Sequence, residues 1–176
     1  AYQLDAADIT GSLDQQVLSA CHFVRKNTRV AASKNAGRED APQFDLTAIF
    51  EAVVNAVAHR DYSMQDAKIR LRVFADRVEL SSPGAIPNTM TVDSLPYRQA
   101  ARNETITSLL AKCRVPDNAG LETDRSTMMD KRGEGVSIIL HNSERLSGRV
   151  PEYSLVDDSE LRLVIYAPAD TDEGED

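Results

Sequence analysis

The chain has 176 residues, enough for one domain with a real core or two very small ones. Its 41% hydrophobic content is ordinary for a globular protein, Trp is absent, and no apolar run reaches the length of a membrane span, so an aliphatic core is expected and a membrane partner is not. The formal net charge of −8 argues against a free-standing nucleic-acid binder, which usually carries a basic face.

In chain order, residues 1–11 read as a flexible extension. Residues 12–30 read as a helix, with Leu13, Val17, Ala20, Cys21 and Val24 at helical spacing after Gly11-Ser12. A polar stretch, residues 33–43, reads as loop. Asp45 is the expected N-cap of a second helix running to His59. Residues 68–74 alternate in strand fashion, with Ile69, Leu71 and Val73 on one face and Arg70 and Arg72 on the other. Ala75-Asp76 turns into a second strand, 77–81, with Val78 and Leu80 inward, ended by Ser82-Pro83-Gly84.

A long insert follows, residues 83–132. It holds one helix, capped by Asn103 and marked by Ile106, Leu109, Leu110 and Cys113, and is otherwise polar and turn-rich. Gly133-Glu134-Gly135 opens another helix, 136–146. Residues 153–156 and 161–166 form a final hairpin around Asp157-Asp158, and residues 168–176 are expected to be a disordered acidic tail. Short connections make the strand pairs antiparallel, so the helices must cover one face of the sheet. The expected fold is α+β, a two-layer sandwich with a mixed, mostly antiparallel sheet and helices on one face, spanning residues 12–167.

Cys21 and Cys113 lie far apart in apolar surroundings without metal-ligand spacing, which points to two reduced thiols and a cytoplasmic protein. His22 and His141 have no metal partners at sequence spacing. The chain begins Ala-Tyr-Gln rather than Met, so a piece of a longer protein is expected.

The second helix carries the strongest functional signal. It is apolar almost all round and should be buried. Glu51, Asn55 and His59 interrupt it at a spacing of four, so they share one narrow stripe. A buried carboxylate and amide are costly unless paired, and the economical explanation is a stripe that lines a cavity. The alternative is a solvated helix edge, which would be wider and richer in Lys and Glu.

The segment Glu51-Ala-Val-Val-Asn55-Ala56-Val-Ala-His59-Arg60-Asp61-Tyr62-Ser63 resembles the hallmark of the domain family named after the RecG helicase C-terminus. That family is related to the GHKL (Bergerat) superfamily of gyrase, heat-shock chaperone, histidine kinase and MutL ATPases. Asp76 to Pro87 resembles its strand-plus-turn, usually written with Asn-Pro-Gly-Gly. Arg102-Asn103-Glu104 and Lys131-Arg132-Gly133-Glu134-Gly135-Val136 resemble its later motifs.

The resemblance implies that Asn55 holds a Mg²⁺ bridging nucleotide phosphates, and that Glu51 orients or deprotonates the attacking water. A hard cation prefers oxygen ligands, and a carboxylate one turn away can reach a water in line with the terminal phosphate. It implies Mg-ATP or Mg-ADP as the cofactor, held by Asn55, His59, Ser81, Gly84, Gly133 and Gly135, with the insert in the place of the ATP lid. Ser81 stands where active relatives carry an adenine-binding Asp, Ala85 replaces a glycine, and Pro83 stiffens the turn.

At most a weak ATPase is therefore expected. No Walker A pattern is present, so the chain is not a helicase motor on its own. Two readings stay open. In one, a nucleotide-sensing module belongs to a transcriptional regulator whose N-terminal part is an Alba-like DNA-binding domain. In the other, a degenerate scaffold serves dimerisation or docking, with a homo-oligomer as one outcome. Arg70 and Arg72, and Arg25, Lys26 and Arg29, read as solvated faces, and direct DNA binding by this chain is not expected.

Overall fold

A computed structural model describes residues 5–28, 30–31, 41–86, 91–96, 102–117, 119–121, 123–130 and 132–169. Most of the expected 33–43 loop, Arg29, Pro87, Lys131 and the tail from residue 170 lie outside them.

Helix α1 (Leu13–Lys26) starts at Ser12, as its periodicity predicts, but stops four residues earlier than expected. Residues 30–31 instead form a short strand β1 (Val30–Ala31), antiparallel to β2 (Ala41–Pro42), so the end of the expected loop is paired backbone. Two-residue strands leave no periodicity in a sequence. Ahead of α1, residues 5–11 of the expected extension include two contacts with the rest of the fold, and residues 1–4 lie outside the described residues. Asp5 accepts from Lys26 and Asn27, both at 3.0 Å, and Ile9 packs on the core.

Helix α2 (Leu46–His59) begins where Asp45 predicts: the Asp45 side chain accepts the Ala48 N–H at 2.8 Å. Ten of its fourteen residues are buried, because it lies between α1, α4 and the sheet rather than on a surface. Phe50, Ile49 and Val54 are almost inaccessible, each contributing about 1.5–3 kcal/mol through burial.

The sheet comprises β3 (Arg70–Val73), β4 (Arg77–Pro83), β5 (Glu152–Val156) and β6 (Glu160–Tyr166), in the order β3-β4-β6-β5. Every pairing described is antiparallel, so the sheet has no parallel member among these residues. Val78 opposite Ile165 and Leu80 opposite Leu163 face the helices. The β5–β6 turn places Asp157 and Asp158 at φ of 49° and 53°, a conformation that aspartate tolerates better than most residues.

Helix α3 (Glu104–Leu110) lies in the insert, and α4 (Gly135–Ser147) packs against α2 and β6. The result is the expected α+β two-layer sandwich. The described part of the insert belongs to that body. Met128 is 1% exposed within the core, and its N–H and that of Met129 bond back to Cys113 and Leu110. Among the described residues, no helix is long and apolar enough to cross a membrane.

Candidate functional site

Three side chains close the C-terminal end of α2, where backbone carbonyls run out of helical partners. Ser82 Oγ donates to the Ala56 carbonyl at 3.0 Å, and Tyr62 Oη donates to that of Val57 at 2.7 Å. Asn103 Nδ2 donates to the carbonyls of Ala58 and Arg60, at 2.9 and 2.8 Å. Asn103 was expected to cap its own helix, α3. Its side chain makes no such bond and caps α2 instead, an interaction 45 residues distant in sequence.

The end of β4 is tied to the same place. Asp61 N donates to the Pro83 carbonyl at 2.7 Å, and Gly84 adopts a φ of 123°. A Cβ at Gly84 would lie 3.0 Å from Asp61 Cβ, so only glycine fits both the conformation and the space. The Gly84 N–H is committed to the Ser159 carbonyl at 2.7 Å.

Beside this junction lies a cavity of about 480 Å³, bounded by α2, the end of β4, the insert and the start of α4. Glu51, Asn55 and His59 all line it, together with Gly84, Gly133 and Gly135. Ser81 does not: it is buried in the strand but absent from the cavity wall, whereas Leu80 and Ser82 line it. The parity of β4 explains this. With Val78 and Leu80 inward, alternation brings Ser82 to the cavity side and sends Ser81 to the other. The alternation was visible in the sequence and identifies Ser82 as the serine at the site.

Helix α4 meets α2 with almost no clearance. A Cβ at Gly135 would fall 2.7 Å from Asn55 Nδ2 and 3.1 Å from Glu51 Oε2. Gly135 is therefore required by contact, and the first turn of α4 is pressed against Glu51 and Asn55 of the stripe. Asn55 Nδ2 is buried there without a hydrogen-bond partner. Gly133 sits at φ 68°, just ahead of this turn. The first N–H groups of a helix lack helical acceptors and carry a partial positive charge, which makes this corner favourable for an anion.

Glu51 is 4% exposed, and its partner comes from the insert. Arg125 Nε donates to Glu51 Oε1 at 2.6 Å, and Arg125 Nη1 donates to Asp130 Oδ2 at 2.7 Å. Burial works against the Arg125 charge, and the bonds to Glu51 and Asp130 outweigh it. The Arg132 backbone N–H first, and then Arg125, hold the Asp130 carboxyl below its ordinary value.

At the other end of the stripe, burial first and the nearby Arg102 charge second hold the His59 imidazole below its ordinary value. His59 makes no hydrogen bond to Glu51 or Asp61. Arg102 bonds Asp61 Oδ2 at 3.1 Å and also donates to the Ala85 carbonyl.

Arg125, Asp130 and Ser82 were not singled out from the sequence. The stretch around Arg125 and Asp130 is polar and aperiodic, so nothing in it marked either residue. Among the described residues, the cavity wall carries three carboxylates, Glu51, Glu104 and Asp130, against two guanidiniums, Arg102 and Arg125. A polyphosphate would need a counter-cation there. No cluster of three or more His, Cys, Asp or Glu residues fit to hold a metal occurs among the described residues. The Asn55 amide lies against α4 through Nδ2, which leaves Oδ1 as its other end, an oxygen of the kind a hard cation prefers.

A two-layer α+β domain with a polar helical stripe meeting a glycine-opened helix beside a cavity has the architecture of the GHKL-like ATPase domains. The chain belongs to the family described as "Putative ATP-dependent DNA helicase recG C-terminal", which matches residues 66–165. That match begins after α2, so the cavity geometry alone connects the Glu51–His59 stripe to the matched region. Among solved structures, the chain is similar in fold to the DIP2311 protein from Corynebacterium diphtheriae, with a TM-score of 0.66 at 21% identity. The likeness covers 90% of this chain and 28% of that one, so the chain spans less than a third of the length of that protein. No curated protein matches the sequence.

Proposed function

We propose that this domain is a nucleotide-responsive regulatory module that takes Mg-ATP or Mg-ADP in the α2–α4 cavity. The observation that carries the reading is the contact of Asn55 and Glu51 with the first turn of α4 inside a cavity large enough for a small ligand. Asn55 would meet the cation, and the N–H groups near Gly133 and Gly135 would receive phosphate. A bound Mg²⁺ would supply charge neutralisation for the phosphates.

Glu51 is the only stripe carboxylate, and in this state it is held by Arg125, so hydrolysis is at most weak. His59, half-buried and resistant to protonation, lines the cavity at the other end of the stripe. Ser82 offers acceptor lone pairs, because its proton goes to the Ala56 carbonyl.

In a longer parent protein, nucleotide binding would reorder the insert and shift the assembly of an attached DNA-binding part, proposed to be N-terminal and Alba-like. This chain contributes no DNA contact in the proposal. Of the basic residues expected on open faces, Arg70 pairs with Glu160 at 2.8 Å, Lys26 pairs with Asp5 at 3.0 Å, and Arg25 donates to the Gly120 carbonyl.

Isothermal titration with Mg-ATP and Mg-ADP tests the reading. Saturable heat is expected with both, and its absence at millimolar nucleotide would refute it. A second reading, a scaffold retained for dimerisation or docking, is favoured by one specific observation: Arg125 of the insert already fills the position beside Glu51. It predicts a self-association detectable by sedimentation and no nucleotide heat.

A further inference from the structure

Among the described residues, Arg125 is the insert cation bonded to Glu51, while Arg102 stands at the His59 end of the stripe. The Arg125 guanidinium is bound to two carboxylates, Glu51 through Nε and Asp130 through Nη1, with 16% of the side chain exposed. A buried ion pair of this kind stabilises a fold little, because desolvation consumes most of the Coulombic gain. The guanidinium fork also matches phosphate oxygens, which carry more charge than a carboxylate and bind it bidentately.

The Glu51 carboxylate lies between two anion-favouring groups. Oε1 is on Arg125 at 2.6 Å, while Oε2 lies 3.1 Å from where a Cβ of Gly135 would stand, at the start of α4. Glu51 thus occupies the corner that a phosphate entering the cavity would take.

Resting on the nucleotide reading above, we infer that Arg125 distinguishes nucleoside triphosphates from diphosphates by exchanging Glu51 for the terminal phosphate. In the free state Arg125 neutralises Glu51. A triphosphate spans both the first turn of α4 and Arg125, whereas a diphosphate reaches only one of them. When the terminal phosphate takes the guanidinium, Glu51 loses its cation and becomes free to accept a hydrogen bond from water. Asp130 keeps Nη1 in place during the exchange, so Arg125 needs to turn rather than withdraw. The insert segment carrying Arg125 then reports the phosphate count to whatever the insert touches.

The test is isothermal titration of the whole chain with Mg-ATP and, separately, Mg-ADP. Wild type is compared with Arg125→Met, Arg125→Lys and the double variant Arg125→Met/Glu51→Gln, which removes the stranded charge if Arg125→Met alone fails to fold. Wild type should prefer ATP by roughly 10- to 100-fold, the range for one charge-assisted contact. The ATP-to-ADP ratio should fall close to one in both Met variants and recover in part in Arg125→Lys, which keeps charge without the fork. A ratio unchanged from wild type in any folded Arg125→Met background overturns the inference while leaving the nucleotide site standing. Absence of binding by either nucleotide to wild type overturns the nucleotide reading itself, and this inference with it.

Discussion

Replacing Gly135 with alanine sets two effects against each other. Helix propensity favours alanine by up to about 1 kcal/mol, and by less in a first turn. Against this, the new methyl group would stand 2.7 Å from Asn55 Nδ2 and 3.1 Å from Glu51 Oε2. Asn55 can swing off its rotamer at a cost of about 0.5–1.5 kcal/mol. Glu51 has less freedom, because Arg125 holds it at 2.6 Å. Overpacking of this kind costs about 1–3 kcal/mol, so the net expectation is a loss of about 1 kcal/mol.

For a chain of this size, that corresponds to a Tm lower by about 2–4 °C. Urea denaturation of Gly135→Ala, Asn55→Ala and the double variant forms a cycle. Removing the Asn55 amide removes the closest clash, so the double variant should recover about 1 kcal/mol relative to the sum of the singles. If Gly135→Ala proves stabilising, or the cycle is additive within error, then α4 does not press on the stripe and the cavity has a different wall.

His59 resists protonation in the folded chain, chiefly through burial and then through Arg102. The unfolded chain binds the proton near pH 6.5. Stability should therefore be fully present above about pH 6.5 and fall as pH drops through the lower folded value, with this component of the slope abolished in His59→Gln. Urea midpoints at intervals between pH 5 and 8 read it, and a midpoint that rises on acidification would contradict it.

Asn103→Ala should cost about 1–3 kcal/mol, although position 103 precedes a short exposed helix, because two carbonyls at the end of α2 lose their donor. A thermal melt unchanged by this substitution would remove Asn103 from its capping role. Burial pushes the Cys21 thiol up to about 12, so Cys21 should react with a thiol reagent at pH 8 only after denaturant is added. Its labelling at the rate of an exposed thiol in native buffer would contradict its place beneath α2.

The elements were legible in the sequence wherever one face is buried and the period is clean. Asp45 marked the start of α2, the alternation through Leu71, Val78 and Leu80 marked two strands, and Asp157-Asp158 marked their distant hairpin partners. The four-residue spacing of Glu51, Asn55 and His59 puts all three on one helical stripe, and all three line the cavity. The family motif points to Ser81, whereas strand parity turns Ser82 to the cavity side, where the wall holds it.

Other features had no local signature. Asn103 looks like the cap of the helix it precedes, and only tertiary packing diverts it to α2. Arg125 lies in an aperiodic polar stretch, where side-chain direction is fixed by Met128 entering the core a few residues later. The insert read as a lid-like loop because its contacts with α1 and the core are made by single residues.

The most direct measurement follows amide resonances by two-dimensional NMR as Mg-ATP is added. The account predicts saturable shifts concentrated at Gly133, Gly135, Val136 and the Asn55 side-chain amide, and their loss in a folded Asn55→Ala variant. Shifts centred elsewhere, or an unperturbed spectrum at millimolar Mg-ATP, would contradict a nucleotide site between α2 and α4.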